Sequence, residues 1–503
     1  MSILKKSNII MVIVIACCKS LVGSAQSESL TMSKEDMYDD FDQFVEIVRN
    51  HNAQISIRKY VTSYDALSEI QKKRSQISSI QTSGEFIHFM NENVARLIDI
   101  HSYMLKLSKP DTNDFLWVDS VDIESIHKTL SVYNDYLRQC NSPIFSFGNS
   151  LLYHQGEYQI VNTVKFNGKQ YRRTIKNAKL LKINGVDIDQ YVKNHFHVLS
   201  GSRVRWDNNL QKYFAHDLII PKDALLEFQN NDDSSTFIVE LSKVRGVHFF
   251  ANSRKQNKSS MEDVVYFEKE GILYIRIKEM KEGCQNTIID SIFSKLHGII
   301  PTKVILDVRS NHGGSDSVWI EILSTLSPDT IVFPLKMCFK SQQVLSKMAD
   351  KTTVNNNPDT VLLYGDTLLC EKEYRYTLTP SGNNVGYRGL IFVFQDAFTY
   401  SAAHSLSSIC RFSDKFVSIG VPTGTIAGRG CGPVMFQLKN SKFTFFMECD
   451  LDLTEIKSAY DCYQDMPEKE LSPTLQDVVL FLYDNSFVYL SQEDPYFKTV
   501  LYY

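Results

Sequence analysis

Long apolar runs are scarce in this chain of 503 residues. The run from Ile9 to Cys18 is too short to span a bilayer, which takes roughly 20 apolar residues, and no later stretch comes close. A bundle of membrane-spanning helices is thereby excluded. A large excess of either charge is also lacking. The net charge is -4, and Lys72-Lys73-Arg74 is typical of the short basic pieces present, which argues against a nucleic-acid partner. Cysteines are present but never in a CxxC pair or at a Cys/His spacing that suits zinc, so no zinc site is expected, and none of the motifs below implies a metal or an organic cofactor. No fixed-period repeat is seen, which argues against a solenoid or propeller.

What is present is ordinary for a globular protein. Hydrophobic residues make up 43% and charged residues 22%. The length implies two or three domains. Residues 1–25 read as an export signal, with Lys5 and Lys6 ahead of the apolar run. Two cleavage readings stand, beside a retained membrane anchor as a third option. Gly23-Ser24-Ala25 suits an ordinary signal peptidase, and Val14-Ile15-Ala16-Cys17 resembles a lipoprotein box that would place a lipid anchor on Cys17. Either makes the protein exported, to the periplasm or cell envelope. Eight cysteines follow (Cys140, Cys284, Cys338, Cys370, Cys410, Cys431, Cys449 and Cys462), and their pairing stays open.

Residues 26–110 read as a helical region. Ser33-Lys-Glu-Asp36 forms a capping box, and Met37, Phe41, Phe44, Val45 and Val48 follow helical spacing. Further helices are predicted over Tyr64 to Ile77 and from Gly84 to about Ile98, which places His101 just past a helix end. Residues 111–255 read as β-rich without long helices. Ala178 to Ile188 carries an Asn-Gly turn between short strands. Residues 256–503 alternate strand and helix: a hairpin across Glu270-Gly271, a helix with Ile288, Ile292 and Leu296, strands at Lys303 to Val308, Leu390 to Phe394 and Lys415 to Gly420, and a helix from Ser401. This order implies a largely parallel sheet covered by helices.

Two segments carry chemistry. Val304-Ile-Leu-Asp-Val-Arg-Ser-Asn-His-Gly-Gly314 is a strand running into two glycines, and Phe398-Thr-Tyr-Ser-Ala-Ala-His404 sets Ser401 at a helix start. A hydroxyl is a poor nucleophile without a base beside it, and backbone N–H groups at a glycine turn or helix start can hold a developing oxyanion. A serine at a helix start is also a common cap, and a glycine turn is commonly just a turn.

Together these segments resemble the S41 family of serine peptidases: tail-specific, carboxy-terminal processing and tricorn-like enzymes, in an exported form of the Bacteroidetes type. The resemblance implies an α/β multidomain protein, with a crotonase/ClpP-like ββα catalytic core, an N-terminal helical region and a PDZ-like domain at the Asn-Gly hairpin. It implies an acyl-enzyme on Ser401, with Gly313, Gly314 and the N–H of Ala402 as oxyanion hole, and a peptide or protein substrate. The family's lysine base would fall at Ile426, where the basic neighbour Arg429 keeps its proton. Ile98-Asp-Ile-His-Ser102 instead matches the "D-G-H-T" motif of tricorn-like members, which makes His101 the general base. The acid that orients the histidine would be Asp461, with Asp465 and Glu468 as alternatives. His404, where the family has Glu, is a rival base one helical turn from Ser401. These departures motivate an alternative: an inactive peptide-binding protein on a peptidase scaffold.

Overall fold

The computed structural model describes residues 30–106, 116–117, 121–140, 144–169, 171–196, 204–215, 217–250, 263–349, 358–370, 374–424, 432–483 and 493–503. The expected leader, Cys17 and the loop with Ile426 and Arg429 lie outside these residues. The chain is a mixed α/β multidomain protein. Among the described residues, no helix is long and apolar enough to cross a membrane.

The N-terminal region opens on α1 (Lys34–His51), closed at its start by the capping box of Ser33 and Asp36. Its predicted apolar face, Met37, Phe41, Phe44, Val45 and Val48, is buried. Each such side chain contributes about 1.5–3 kcal/mol on leaving water. The second predicted helix is shorter than its pattern: Ala66–Gln71 is α-helical and Arg74–Ser79 is a tighter 3-10 turn. The third, α2, spans Ser83–Ala95. It leads through Ile98, held at φ 51, to the short strand β1 (Tyr103–Met104).

The reading of residues 111–255 as lacking long helices fails at α3 (Ile123–Cys140). Ile126, Thr129, Leu130 and Tyr133 are its buried stripe. This helix packs on α2: Asn91 Nδ2 donates to the Tyr133 hydroxyl at 3.2 Å, and Gly84 leaves room for Tyr136, whose Cβ would lie 2.7 Å from any side chain there. It therefore extends the helical region rather than opening the β-rich one.

The β-rich middle contains a six-stranded sheet with the expected hairpin. Ala178–Ile183 pairs with Val186–Asp187 across Asn184 and Gly185, both at positive φ, as a two-residue hairpin turn of this type requires. A separate ribbon includes β2 (Val204–Asp207), whose Trp206 N–H donates to Gly424 O at 2.7 Å and ties this region to the core.

The core sheet runs β3 (Val264–Phe267), β4 (Ile272–Arg276), β5 (Lys303–Asp307), β6 (Ile391–Gln395), β7 (Phe416–Gly420) and β8 (Lys469–Glu470) in that spatial order. The β3/β4 pair is the antiparallel hairpin and the remaining pairings are parallel. Strand side chains alternate between faces. Val304 and Leu306 pack with Ile288, Ile292, Ile322 and Leu323 of the covering helices. Ile305 packs on the other face with Phe392, Phe394 and Ile419, under Tyr496 and Phe497 of the C-terminal helix. Burial on both faces explains why these strands read as continuous apolar runs. Parallel strands also emit their following loops at one edge, and that edge carries the site.

Candidate active site

The loop after β5 is held by buried polar contacts. Asp307 pairs with Arg309 at 2.5 Å, and Arg309 reaches Asp494 at 2.7 Å, with all three side chains almost wholly buried. The Arg309 guanidinium holds the Asp307 carboxyl below the usual range against the upward push of burial. Removing one partner from such a cluster costs about 3–5 kcal/mol. Asn311 shapes the turn itself: its Nδ2 donates to Ile277 O at 2.8 Å and its Oδ1 accepts from Gly313 N–H at 2.8 Å. Its carbonyl accepts from Tyr400 N–H at 3.0 Å, which joins the turn to the segment that carries Ser401.

Gly313 has φ 90, and a Cβ there would lie 2.5 Å from Ser401 Cβ and 2.9 Å from Ala402 N. Only glycine permits this approach. Gly314 is equally constrained, because a Cβ would meet Met280 O at 2.2 Å.

The loop after β6 is fixed by Asp396, which accepts from Phe398 N–H at 2.9 Å and Thr399 N–H at 3.0 Å and receives Ser310 Oγ at 3.0 Å. Ser401 follows at φ 52 and ψ -129, a conformation rare for a residue with a side chain. Such strain persists where the surroundings over-determine it, as at a nucleophile turn. The helix α4 (Ala402–Ser408) starts directly after it. Among the described residues, neither Gly314 nor Ala402 donates its N–H to a protein acceptor, whereas Gly313 N–H is taken by Asn311.

His101 arrives from the helical region. Its Nε2 lies 3.2 Å from Ser401 Oγ, and its ring packs on Tyr400 with centroids 4.9 Å apart. The other nitrogen, Nδ1, meets Glu448 Oε2. The strand pairing explains this partner. β1 is antiparallel to Thr444–Met447, with Tyr103 opposite Phe446, and continuing that register by two residues sets Glu448 opposite His101. Ser102 fastens the arrangement, accepting from Glu448 N–H at 3.4 Å and donating to Asp99 Oδ2 at 2.6 Å.

The acid beside His101 is therefore Glu448 and not Asp461. The Asp461 carboxylate is occupied at the start of the helix Ala459–Tyr463, where it accepts from Ser458 N–H at 2.8 Å within a capping box. The alternative Asp465 is engaged elsewhere, and the backbone of Glu468 is tied to another strand. Asp465 lies against His404 and within 2.9 Å of Arg411, while Glu468 donates its backbone N–H to Ser418 Oγ. That contact also occupies His404, the rival base. Nothing in the sequence around Glu448 marks it. Its signal is the register of a strand pair separated by 347 residues.

Burial sets the protonation of the pair. It pushes the Glu448 carboxyl up to about 7, with the Asp99 charge adding to the rise and hydrogen bonding from Asp450 and Cys449 opposing it. Burial also pushes the His101 imidazole down, against the charges of Asp99 and Asp450. At neutral pH the ring is neutral and can accept a proton.

Residues 271–444 match the model of peptidase family S41. No curated protein matches the chain. Among solved structures, mature CPAF complexed with lactacystin is 12% identical, with 93% of this chain and 98% of that one covered and a TM-score of 0.54. A second structure of mature CPAF is also 12% identical, with 93% and 96% covered and a TM-score of 0.54. A photosystem II D1 C-terminal processing protease is 10% identical, with 88% and 94% covered and a TM-score of 0.38. At such identities the CPAF structures show a shared fold. The matched region contains Ser401, Gly313 and Gly314, so residues 271–444 carry a peptidase family S41 domain, that of a serine-type peptidase.

Proposed function

We propose that the protein is an exported peptidase that cuts peptide bonds through an acyl-enzyme on Ser401. His101 Nε2 takes the hydroxyl proton as Oγ attacks the scissile carbonyl. Glu448 holds the Nδ1–H tautomer and stabilises the imidazolium that forms. The oxyanion sits between the N–H groups of Gly314 and Ala402, at the start of α4. His101 then passes its proton to the leaving amine, and water, deprotonated by the same ring, releases the acyl group. Gly313 supplies the close approach of the turn; its own N–H becomes a donor to substrate only by leaving Asn311.

The observation that carries this reading is the line Ser401 Oγ, His101 Nε2, His101 Nδ1, Glu448, with 3.2 Å between the hydroxyl and the ring. A reaching base need not be this close without ligand. The inactive-scaffold alternative drew on His404, on Ile100 and on the poorly matched 460s segment, and Glu448 supplies the acid that this segment does not. The domain assignments follow the same reading: a crotonase-like core around the parallel sheet, and a PDZ-like unit around the Asn184-Gly185 hairpin. Export is supported by the buried cross-strand disulfide Cys338–Cys370, a bond that persists in oxidising compartments. Cys17 lipidation remains part of this proposal and rests on the leader alone.

The test is labelling of the purified protein by a fluorophosphonate. Wild type is expected to label, and Ser401→Ala and His101→Ala to lose the label with folding intact. A folded wild type that does not label sinks the mechanism; loss in Ser401→Ala alone removes His101 from it.

A further inference from the structure

A cavity of about 620 Å3 lies beside the catalytic turns. Its walls include residues that directly follow four neighbouring strands: Ser310 and His312 after β5, Asp396 and Phe398 after β6, Val421 and Pro422 after β7, and Leu471 after β8. In open α/β sheets, ligands bind in the crevice outside the carboxyl ends of the strands. The two turns that border it are those that place Gly313 and Ser401. The volume is that of an ordinary ligand pocket.

The far wall comes from other parts of the chain. β2 and the middle region contribute Trp206 and Phe214, and α5 (Leu475–Tyr483) contributes Val478 and Phe481. The lining is therefore rich in aromatic and aliphatic side chains. Trp206 adds a polar feature: its indole N–H is buried and has no acceptor among the described residues. Charge argues against an acidic occupant. Asp207, Asp396, Glu470 and Asp477 line the cavity against Arg309 as the one arginine or lysine among the described lining residues, and Arg309 is already paired with Asp307 and Asp494. An acidic side chain would enter a negative, apolar space and lose its hydration there.

We propose that this cavity receives an aromatic or large aliphatic side chain of the peptide substrate, close to the scissile bond, and rejects acidic ones. This names the substrate class of the peptidase reading above and rests on it. The binding test needs no turnover. Immobilised Ser401→Ala protein is equilibrated with a synthetic peptide mixture randomised at each position, and retained peptides are sequenced. Phe, Tyr, Trp, Leu and Met should be enriched over Asp and Glu at one fixed position by about tenfold, the usual size of discrimination by a hydrophobic pocket. Adding Val478→Trp or Ser472→Trp fills the cavity from α5 or from its exposed rim and should erase the enrichment, with the melting temperature checking that each variant is folded.

Retention without positional enrichment, or enrichment that survives both folded variants, overturns the proposal. Fluorophosphonate labelling of the wild type reports on Ser401 separately. Enrichment without labelling would sink the catalytic reading and keep the pocket as a peptide site. Labelling without enrichment would sink the pocket alone.

Discussion

The two sides of the active site are built in different ways. The nucleophile side is self-contained: β5 and β6 are neighbours in one sheet, and the turns after them are joined through Asn311 O and Tyr400 N–H and through Ser310 and Asp396. The base side depends on a two-residue strand, β1, paired with Thr444–Met447 in a different sheet. Its placement against Ser401 is a contact between regions, through the His101 ring on Tyr400. On the proposed mechanism, Ser401 and the N–H groups of Gly314 and Ala402 should therefore tolerate changes in the helical region, whereas His101 can be withdrawn without disturbing the core sheet. Sites divided this way place strain at Ser401 and proton affinity at His101 and Glu448, and each can be altered separately.

The largest expected effect breaks both sides alike. Ser401→Ala and His101→Ala should each lower kcat by about 10⁴-fold or more, and the double variant should be little worse, because residues acting as a unit are not additive. Steady-state kinetics on one peptide checks this; additive losses would separate the two residues. Next comes the acid. Glu448→Gln should lower kcat by about 10³–10⁴-fold, since a neutral amide neither fixes the tautomer nor stabilises the imidazolium. Asp461→Ala should leave kcat within a few-fold and cost about 1 kcal/mol of stability, as the loss of a helix cap does. Gly313→Ala tests the nucleophile side. Its Cβ would need space 2.5 Å from Ser401 Cβ at φ 90, so a displaced turn should cost about 10²–10³ in kcat, comparable to losing an oxyanion donor.

The smallest effect is in pH dependence. A proton added to the His101–Glu448 pair removes the base, and burial sets the Glu448 carboxyl near 7. The rate should fall as pH drops through about 7. The Asp99 charge raises the proton affinity of both groups, so Asp99→Asn should move that acid limb to lower pH. A shift upward would contradict the assigned electrostatics. Stability carries both signs. Glu448, raised above its unfolded value, contributes stability below the unfolded pKa that is lost as pH rises towards about 7. His101, depressed, acts in reverse as pH falls below its ordinary 6.5.

The sequence made the nucleophile side legible because its determinants are local. Strand periodicity, a glycine pair and a serine at a helix start fall within short windows, and the strands observed at 303–307, 391–395 and 416–420 follow their apolar runs closely. The helix at Ile123–Cys140 was obscured because its buried stripe is interleaved with Ser, Asn and Asp, residues that also favour turns. Glu448 was illegible for a stronger reason. Its role follows from a register between β1 and a distant strand, and two-residue strands have no periodicity to read. Asp461 attracted the assignment through motif spacing, yet its immediate neighbours Ser458 and Lys457 claim its carboxylate.

The central claim is that Glu448, just past a strand of a different sheet, completes the base side. The most direct measurement is the second-order rate of fluorophosphonate labelling against pH for wild type, Glu448→Gln and Asp461→Asn. The expected result is an acid limb near 7 in wild type, the same profile in Asp461→Asn, and a rate about 10³-fold lower in Glu448→Gln. Equal rates in wild type and Glu448→Gln, with the loss falling on Asp461→Asn, would contradict it.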